Sequence, residues 1–194
     1  MNVRCLVILL ALLVGEANAS VPAAYRYWGD KHGIQPALLY AIALVESRHT
    51  VQGHVGPWPW TLNISGQPFY FASRKQAYTR LWTELHVHQN EQVAIGPMQV
   101  FWRYNKGYFA NPWEALDPYR NIEVGALIFN AFYQQRGSIK EAIGAYHSPN
   151  KSRPARYYRK KVCTTLQEIS RGPHEDSVSV YSHVCAAAEP AGRT

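Results

Sequence analysis

The stretch AIALVESRH, residues 41–49, ends an apolar run in a carboxylate, Glu46. Pro36 opens the run, and proline suits a first helical turn, where its missing N–H costs no hydrogen bond. Leu38, Ile42 and Val45 follow at helical spacing, and Ser47 and Arg48 mark the exit. At about 100° per residue, Leu39, Ile42 and Glu46 share one arc. The acid therefore faces the same way as leucine and isoleucine. Burial among apolar neighbours disfavours a charged carboxylate and raises its pKa. A glutamic acid that keeps its proton near neutral pH can act as a general acid and then as a base. The competing reading is a structural acid paired with Arg48 or another cation.

Helical signals continue on the C-terminal side. Ser73 suits the N-cap of a helix over residues 74–88, with Ala77, Leu81 and Leu85 on one stripe. Residues 116–137, LDPYRNIEVGALIFNAFYQQRG, form the clearest helix. Asp117 caps it, Pro118 occupies its first turn, and Gly137 ends it. Ile122, Ala126, Phe129 and Phe132 make its stripe. Ser138 and Glu141 have the spacing of a capping box for a helix carrying AIGAYHSP. A last helix over residues 155–170 presents Tyr158, Val162 and Leu166 on one face. Residues 50–66, TVQGHVGPWPWTLNISG, read as turns and loops, and QPFYFAS, residues 67–73, as a short strand or hairpin arm. AIGPMQV, residues 94–100, breaks at Gly96-Pro97 before a short helix through Phe101 and Tyr104. The expected fold class is mainly α: a single domain with a loop and β-hairpin insertion in its first half.

Residues 1–19, MNVRCLVILLALLVGEANA, place one arginine before a short apolar core and a small-x-small box at Ala17-Asn18-Ala19. This pattern predicts a cleaved export signal, since the apolar core is shorter than the roughly 20 residues that span a bilayer. The expected division is a signal at 1–19, a domain at 20–170 and a tail at 171–194. No membrane insertion is expected after cleavage. Two cysteines then remain, Cys163 and Cys185, and an oxidising compartment favours a disulfide that ties the tail down, against two free thiols. The net charge of +7 suits an anionic polymer such as cell wall or an anionic lipid. Nucleic acid is not an expected partner, because no dense Lys/Arg block is present. The richest stretch, residues 151–161, reads either as a binding patch or as a solvated helix face.

Six tryptophans and thirteen tyrosines offer ring faces on which sugars stack. Trp58, Trp60, Trp102 and Trp113 lie in turn-rich or boundary text, where they line a groove or fill the core. His86-Val87-His88 is too short a pattern to specify a metal, and neither a metal nor a cofactor is expected. Glu84, Glu91, Glu114, Asp117 and Glu123 lie in no apolar motif comparable with that of Glu46.

Five motifs run in order: ES at 46–47, GPMQV at 96–100, LDPYRNIEVGA at 116–126, AYHSP at 145–149 and RYYRKKV at 156–162. Together they resemble the soluble-type lytic transglycosylases (SLT domains) over residues 25–166. The PWPWTLN segment resembles members associated with secretion and conjugation machinery. The resemblance implies a lysozyme-like, largely helical fold, a periplasmic location and peptidoglycan glycan strands as substrate. It implies that Glu46 is the single catalytic acid/base and that Ser47 helps orient the site. Met98 and Gln99 then line the sugar cleft, with Tyr146 and His147 beside them. Tyr158 matches the later tyrosine, with Tyr157 as the competing alignment. The implied reaction cuts the MurNAc-β-1,4-GlcNAc bond without water, leaving a 1,6-anhydro-MurNAc end. A lysozyme-type hydrolase and a non-catalytic peptidoglycan-binding scaffold are the alternatives. Pro97 replaces the family's commoner leucine, His147 stands where asparagine is usual, and the segment between Ser47 and Gly96 is longer than in the simplest members.

Overall fold

The computed structural model describes residues 21–170 together with Val184 and Cys185. The expected export signal and most of the expected tail lie outside the described residues. A helix not anticipated from the sequence, α1 (Ala23–His32), comes first and buries Tyr25 and Trp28. Helix α2 (Pro36–Ser47) follows, with Pro36 in its first turn. Every residue from Ala37 to Leu44 is buried. The sequence predicted one apolar arc; the helix is instead apolar all round, as a helix at the centre of a core must be. It packs between α1 and the last helix.

The insertion is two small antiparallel sheets. Strands β1 (Arg48–Val51) and β2 (His54–Pro57) form a hairpin closed by Gln52-Gly53. Strands β3 (Thr61–Ile64) and β4 (Gln67–Tyr70) form another, closed by Ser65-Gly66. All four turn residues have positive φ, which matches the right-handed twist of the strands they join. The stretch expected to be loop therefore holds three four-residue strands, too short for alternation to register. Helix α3 (Arg74–His86) starts where Ser73 Oγ accepts the Gln76 N–H at 3.3 Å. Strands β5 (Val93–Ile95) and β6 (Val100–Phe101) complete a sheet of order β4-β3-β5-β6.

Helix α4 (Trp102–Asn105), a 3₁₀ turn (Lys106–Tyr108) and α5 (Pro112–Ala115) lead into α6 (Pro118–Arg136). Asp117 Oδ1 accepts the Arg120 N–H at 3.0 Å, and Gly137 closes α6 in the left-handed conformation. Helix α7 (Ile139–His147) forms without the expected capping box: Ser138 makes no side-chain cap, and Glu141 pairs with Arg159 across to the next helix. Helix α8 (Ser152–Ser170) begins three residues earlier than expected, with Pro154 in its first turn. Contacts run α1 to α6, α6 to α7, α7 to α8, α8 to α2 and α2 to α1, so these five helices enclose one core. Cys163 on α8 is bonded to Cys185, with Cα atoms 5.7 Å apart. Among the described residues no helix is long and apolar enough to cross a membrane.

Candidate active site

Glu46 occupies the last turn of α2, where the helix leaves the core, and is half-buried. Desolvation pushes its carboxyl up to a pKa of about 7; the Tyr158 hydroxyl and the Lys161 ammonium pull the other way. Arg48 does not serve as its counter-ion. That guanidinium pairs with Glu168 at 3.3 Å, so the structural-acid reading loses Arg48 as its cation. Glu84 makes the contrast. It is also buried, at 4% exposed, but Arg80 lies 2.9 Å from one carboxylate oxygen and Asn90 donates to the other at 3.1 Å. One inward acid is paired and structural; the other is held close to neutrality.

Ser47, expected to help orient the site, and Met98, expected to line the sugar cleft, have buried side chains. Their contribution is architectural. Ser47 Oγ lies 3.1 Å from the Ala43 carbonyl and 2.8 Å from the Pro97 carbonyl, fastening the end of α2 to the 96–99 turn. The Met98 carbonyl accepts the Tyr146 hydroxyl at 2.8 Å. Gln99 sits in the left-handed region at φ 46, and its amide donates to the Gly96 carbonyl at 2.9 Å. A non-glycine residue there is uncommon, and this bond holds it in place.

Asn121 builds the turn from below, a role the sequence did not reveal. Its Oδ1 accepts the Met98 N–H at 2.9 Å; its Nδ2 donates to the carbonyls of Ile95 at 2.9 Å and Ala115 at 3.1 Å. A Cβ on Gly96 would come within 2.6 Å of the Asn121 side chain, and one on Gly125 within 2.7 Å of Met98. The LDPYRNIEVGA motif thus positions the GPMQV turn by close approach.

The two tyrosines converge on the acid. Tyr146 and Tyr158 both have phenols pushed well above their ordinary pKa, by burial first and then by the Glu46 charge. Tyr25, on the unanticipated α1, also acts on Tyr146. Tyr158 is 3% exposed, whereas Tyr157 is 64% exposed with Lys161 over its ring; Tyr158 is therefore the inward member of the pair. Its hydroxyl lies close enough to stabilise ionised Glu46 yet makes no hydrogen bond of good geometry. Such loose contacts are common in unliganded sites. His147 stacks on Tyr158 with centroids 4.7 Å apart and planes 3° apart. Burial and Lys161 push its pKa below the ordinary histidine value.

Gln99, Tyr146 and His147 line a cleft of about 510 Å³ with Phe101, Tyr104 and Phe132. Polar tips beside aromatic faces are the chemistry of a sugar site. The four tryptophans do not join them as one wall. Trp102 is buried beside Phe109, Trp113 lies under Arg74, and Trp58 meets Trp60 edge-on near His49. His86 stacks on Trp82, with ring centroids 4.8 Å apart. Among the described residues no three His, Cys, Asp or Glu side chains group as metal ligands.

The site is thus a near-neutral acid on the central helix, the Tyr158 hydroxyl close to it, Tyr146 within reach of its charge and bonded to the Met98 carbonyl, and an aromatic cleft that Tyr146 lines. No family model, no curated protein and no solved structure matches this chain.

Proposed function

We propose that the protein is a lytic transglycosylase of lysozyme-like architecture, exported to the periplasm, which opens peptidoglycan locally for a secretion or conjugation apparatus. The observation that carries this reading is Glu46. Burial pushes its pKa up to about 7 against the pull of Tyr158 and Lys161, and among the described residues no carboxylate acts on it. Glycosidases that form a covalent intermediate or activate water generally use two carboxylates. A site with one near-neutral acid suits a reaction in which the substrate brings its own nucleophile.

Protonated Glu46 gives its proton to the glycosidic oxygen, which leaves as the GlcNAc 4-hydroxyl. Positive charge develops at C1 of MurNAc. The C6 hydroxyl of the same sugar attacks C1, and ionised Glu46 takes its proton. Glu46 ends as it began, and the product carries a 1,6-anhydro ring. The intramolecular nucleophile needs only orientation, which is worth a large effective concentration. Tyr158 stabilises the ionised acid between the two proton transfers. Tyr146 and Gln99 present hydrogen-bonding groups to the sugar along the aromatic cleft.

The test is product analysis on purified peptidoglycan. Mass spectrometry is expected to find anhydro-muropeptides, and Glu46→Gln to reduce their formation by about 10²- to 10⁴-fold. Reducing MurNAc ends would instead identify a hydrolase, and unchanged turnover in Glu46→Gln would remove the assignment of this residue.

A further inference from the structure

A second cavity, of about 490 Å³, opens between the end of α2 and the middle of α8. Leu44 and Val45 supply apolar lining; Arg48, Lys160 and Lys161 supply charge. Tyr157, Lys160, Lys161 and Thr164 stand at i, i+3, i+4 and i+7 of α8 and so share one helix face. The cations outnumber their partners. Arg48 is paired with Glu168, whereas among the described residues no carboxylate pairs with Lys160 or Lys161. Lys161 rests its ammonium 4.8 Å from the Tyr157 ring centroid, which orients it without neutralising it.

A compact inorganic anion would use the ammonium groups and leave the apolar lining idle. A ligand with carboxylates spaced along short aliphatic units would use both. The cavity also adjoins the proposed active site: Val45 and Arg48 bracket Glu46 in sequence, and Lys161 acts electrostatically on both Glu46 and His147.

We propose that this cavity binds the carboxylates of the short acidic peptide carried by the glycan substrate, with Lys160 and Lys161 as its specificity-determining cations. The assignment rests on the reading of peptidoglycan as substrate. It has a consequence for catalysis. A carboxylate seated at Lys161 offsets the ammonium charge that now favours ionised Glu46. Glu46 then holds its proton to higher pH, so peptide-bearing strands are cut over a wider pH range than bare glycan.

The experiment is titration of the full chain with the free stem tripeptide L-Ala–γ-D-Glu–meso-diaminopimelate, followed by NMR. Saturable binding is expected, weakened at least about tenfold by Lys160→Ala combined with Lys161→Ala. Both lysines are exposed, and retained amide-shift dispersion would verify that the variant is folded. The midpoint of the Glu46 carboxyl titration should rise on saturation. Equal binding of the fully amidated tripeptide, displacement by equimolar acetate, or undiminished binding by the double variant would each overturn the proposal. The binding measurement needs no turnover. Tripeptide binding without anhydro product would count against the activity alone, and anhydro product without tripeptide binding against the cavity alone.

Discussion

Ser47 Oγ lies 2.8 Å from the carbonyl oxygen of Pro97, so the residue after the acid is the one that joins the central helix to the turn carrying Met98 and Gln99. Removing the hydroxyl in Ser47→Ala leaves a buried carbonyl without its donor. The expected loss is about 1–3 kcal/mol of stability, read as a lower urea midpoint with an unchanged m-value. Activity on purified peptidoglycan should fall by about tenfold or more in protein that is still folded, because small misplacements of reacting groups are costly. A variant destabilised by this amount but fully active would show that the turn holds its place without Ser47.

Asn121 is fully buried, and its three hydrogen bonds reach Met98, Ile95 and Ala115. Asn121→Ala strands one N–H and reduces the pairing of two carbonyls in the interior, at an expected cost of about 3 kcal/mol or more. Gly125→Ala places a methyl within 2.7 Å of Met98 and is expected to cost about 1–3 kcal/mol through overpacking. The two substitutions act on the same turn, so a double-mutant cycle should show their effects to be non-additive. Simple additivity in denaturation experiments would separate their roles.

What the sequence made legible depended on how local the determinant was. Helix α6 was readable because Asp117, Pro118 and Gly137 act within a turn of its ends. Helix α1 was not, because its buried face consists of Tyr25, Trp28 and Gly29 rather than a periodic aliphatic stripe. The hairpin arm at 67–73 was legible and is β4, but β1, β2 and β3 were hidden because four-residue strands give too little alternation to count. Glu46 was visible as an acid in apolar company, and ordered motifs supplied Gln99, Tyr146 and Tyr158. The role of Asn121 was invisible because its partner Met98 lies 23 positions away. Periodicity carries no record of such a contact. Tyr158 was legible over Tyr157 because it shares the stripe of Val162 and Leu166, and α8 buries that stripe; Tyr157 lies about 100° away on the helix.

The Tyr158 hydroxyl favours ionised Glu46, so its removal should be read in the pH profile. In Tyr158→Phe the acid keeps its proton more tightly, and the alkaline limb of activity moves to higher pH. The maximal rate should fall roughly 10- to 100-fold, because a donor to the ionised intermediate state is lost. Tyr157→Phe, on the exposed side of α8, should shift neither the limb nor the maximum. An alkaline limb that stays in place in Tyr158→Phe would show that this hydroxyl does not act on Glu46.

The raised proton affinity of Glu46 also predicts a conflict between stability and activity. The carboxyl titrates near pH 7 in the folded protein, against 4.5 for an ordinary glutamate. Between those values the folded state binds more protons than the unfolded state, so stability falls as pH rises. Below the lower value both states are protonated, and Glu46→Gln should leave stability nearly unchanged. Above the higher value both are ionised, and the folded protein carries a desolvated charge that costs up to about 3 kcal/mol. Glutamine keeps the shape and lacks the charge. The variant should therefore match its parent at pH 4 and exceed it at pH 8 by roughly 5–10 °C in Tm, while losing activity. Calorimetry at the two pH values checks this, and a Tm difference that does not grow with pH would mean that the Glu46 carboxylate is solvated after all.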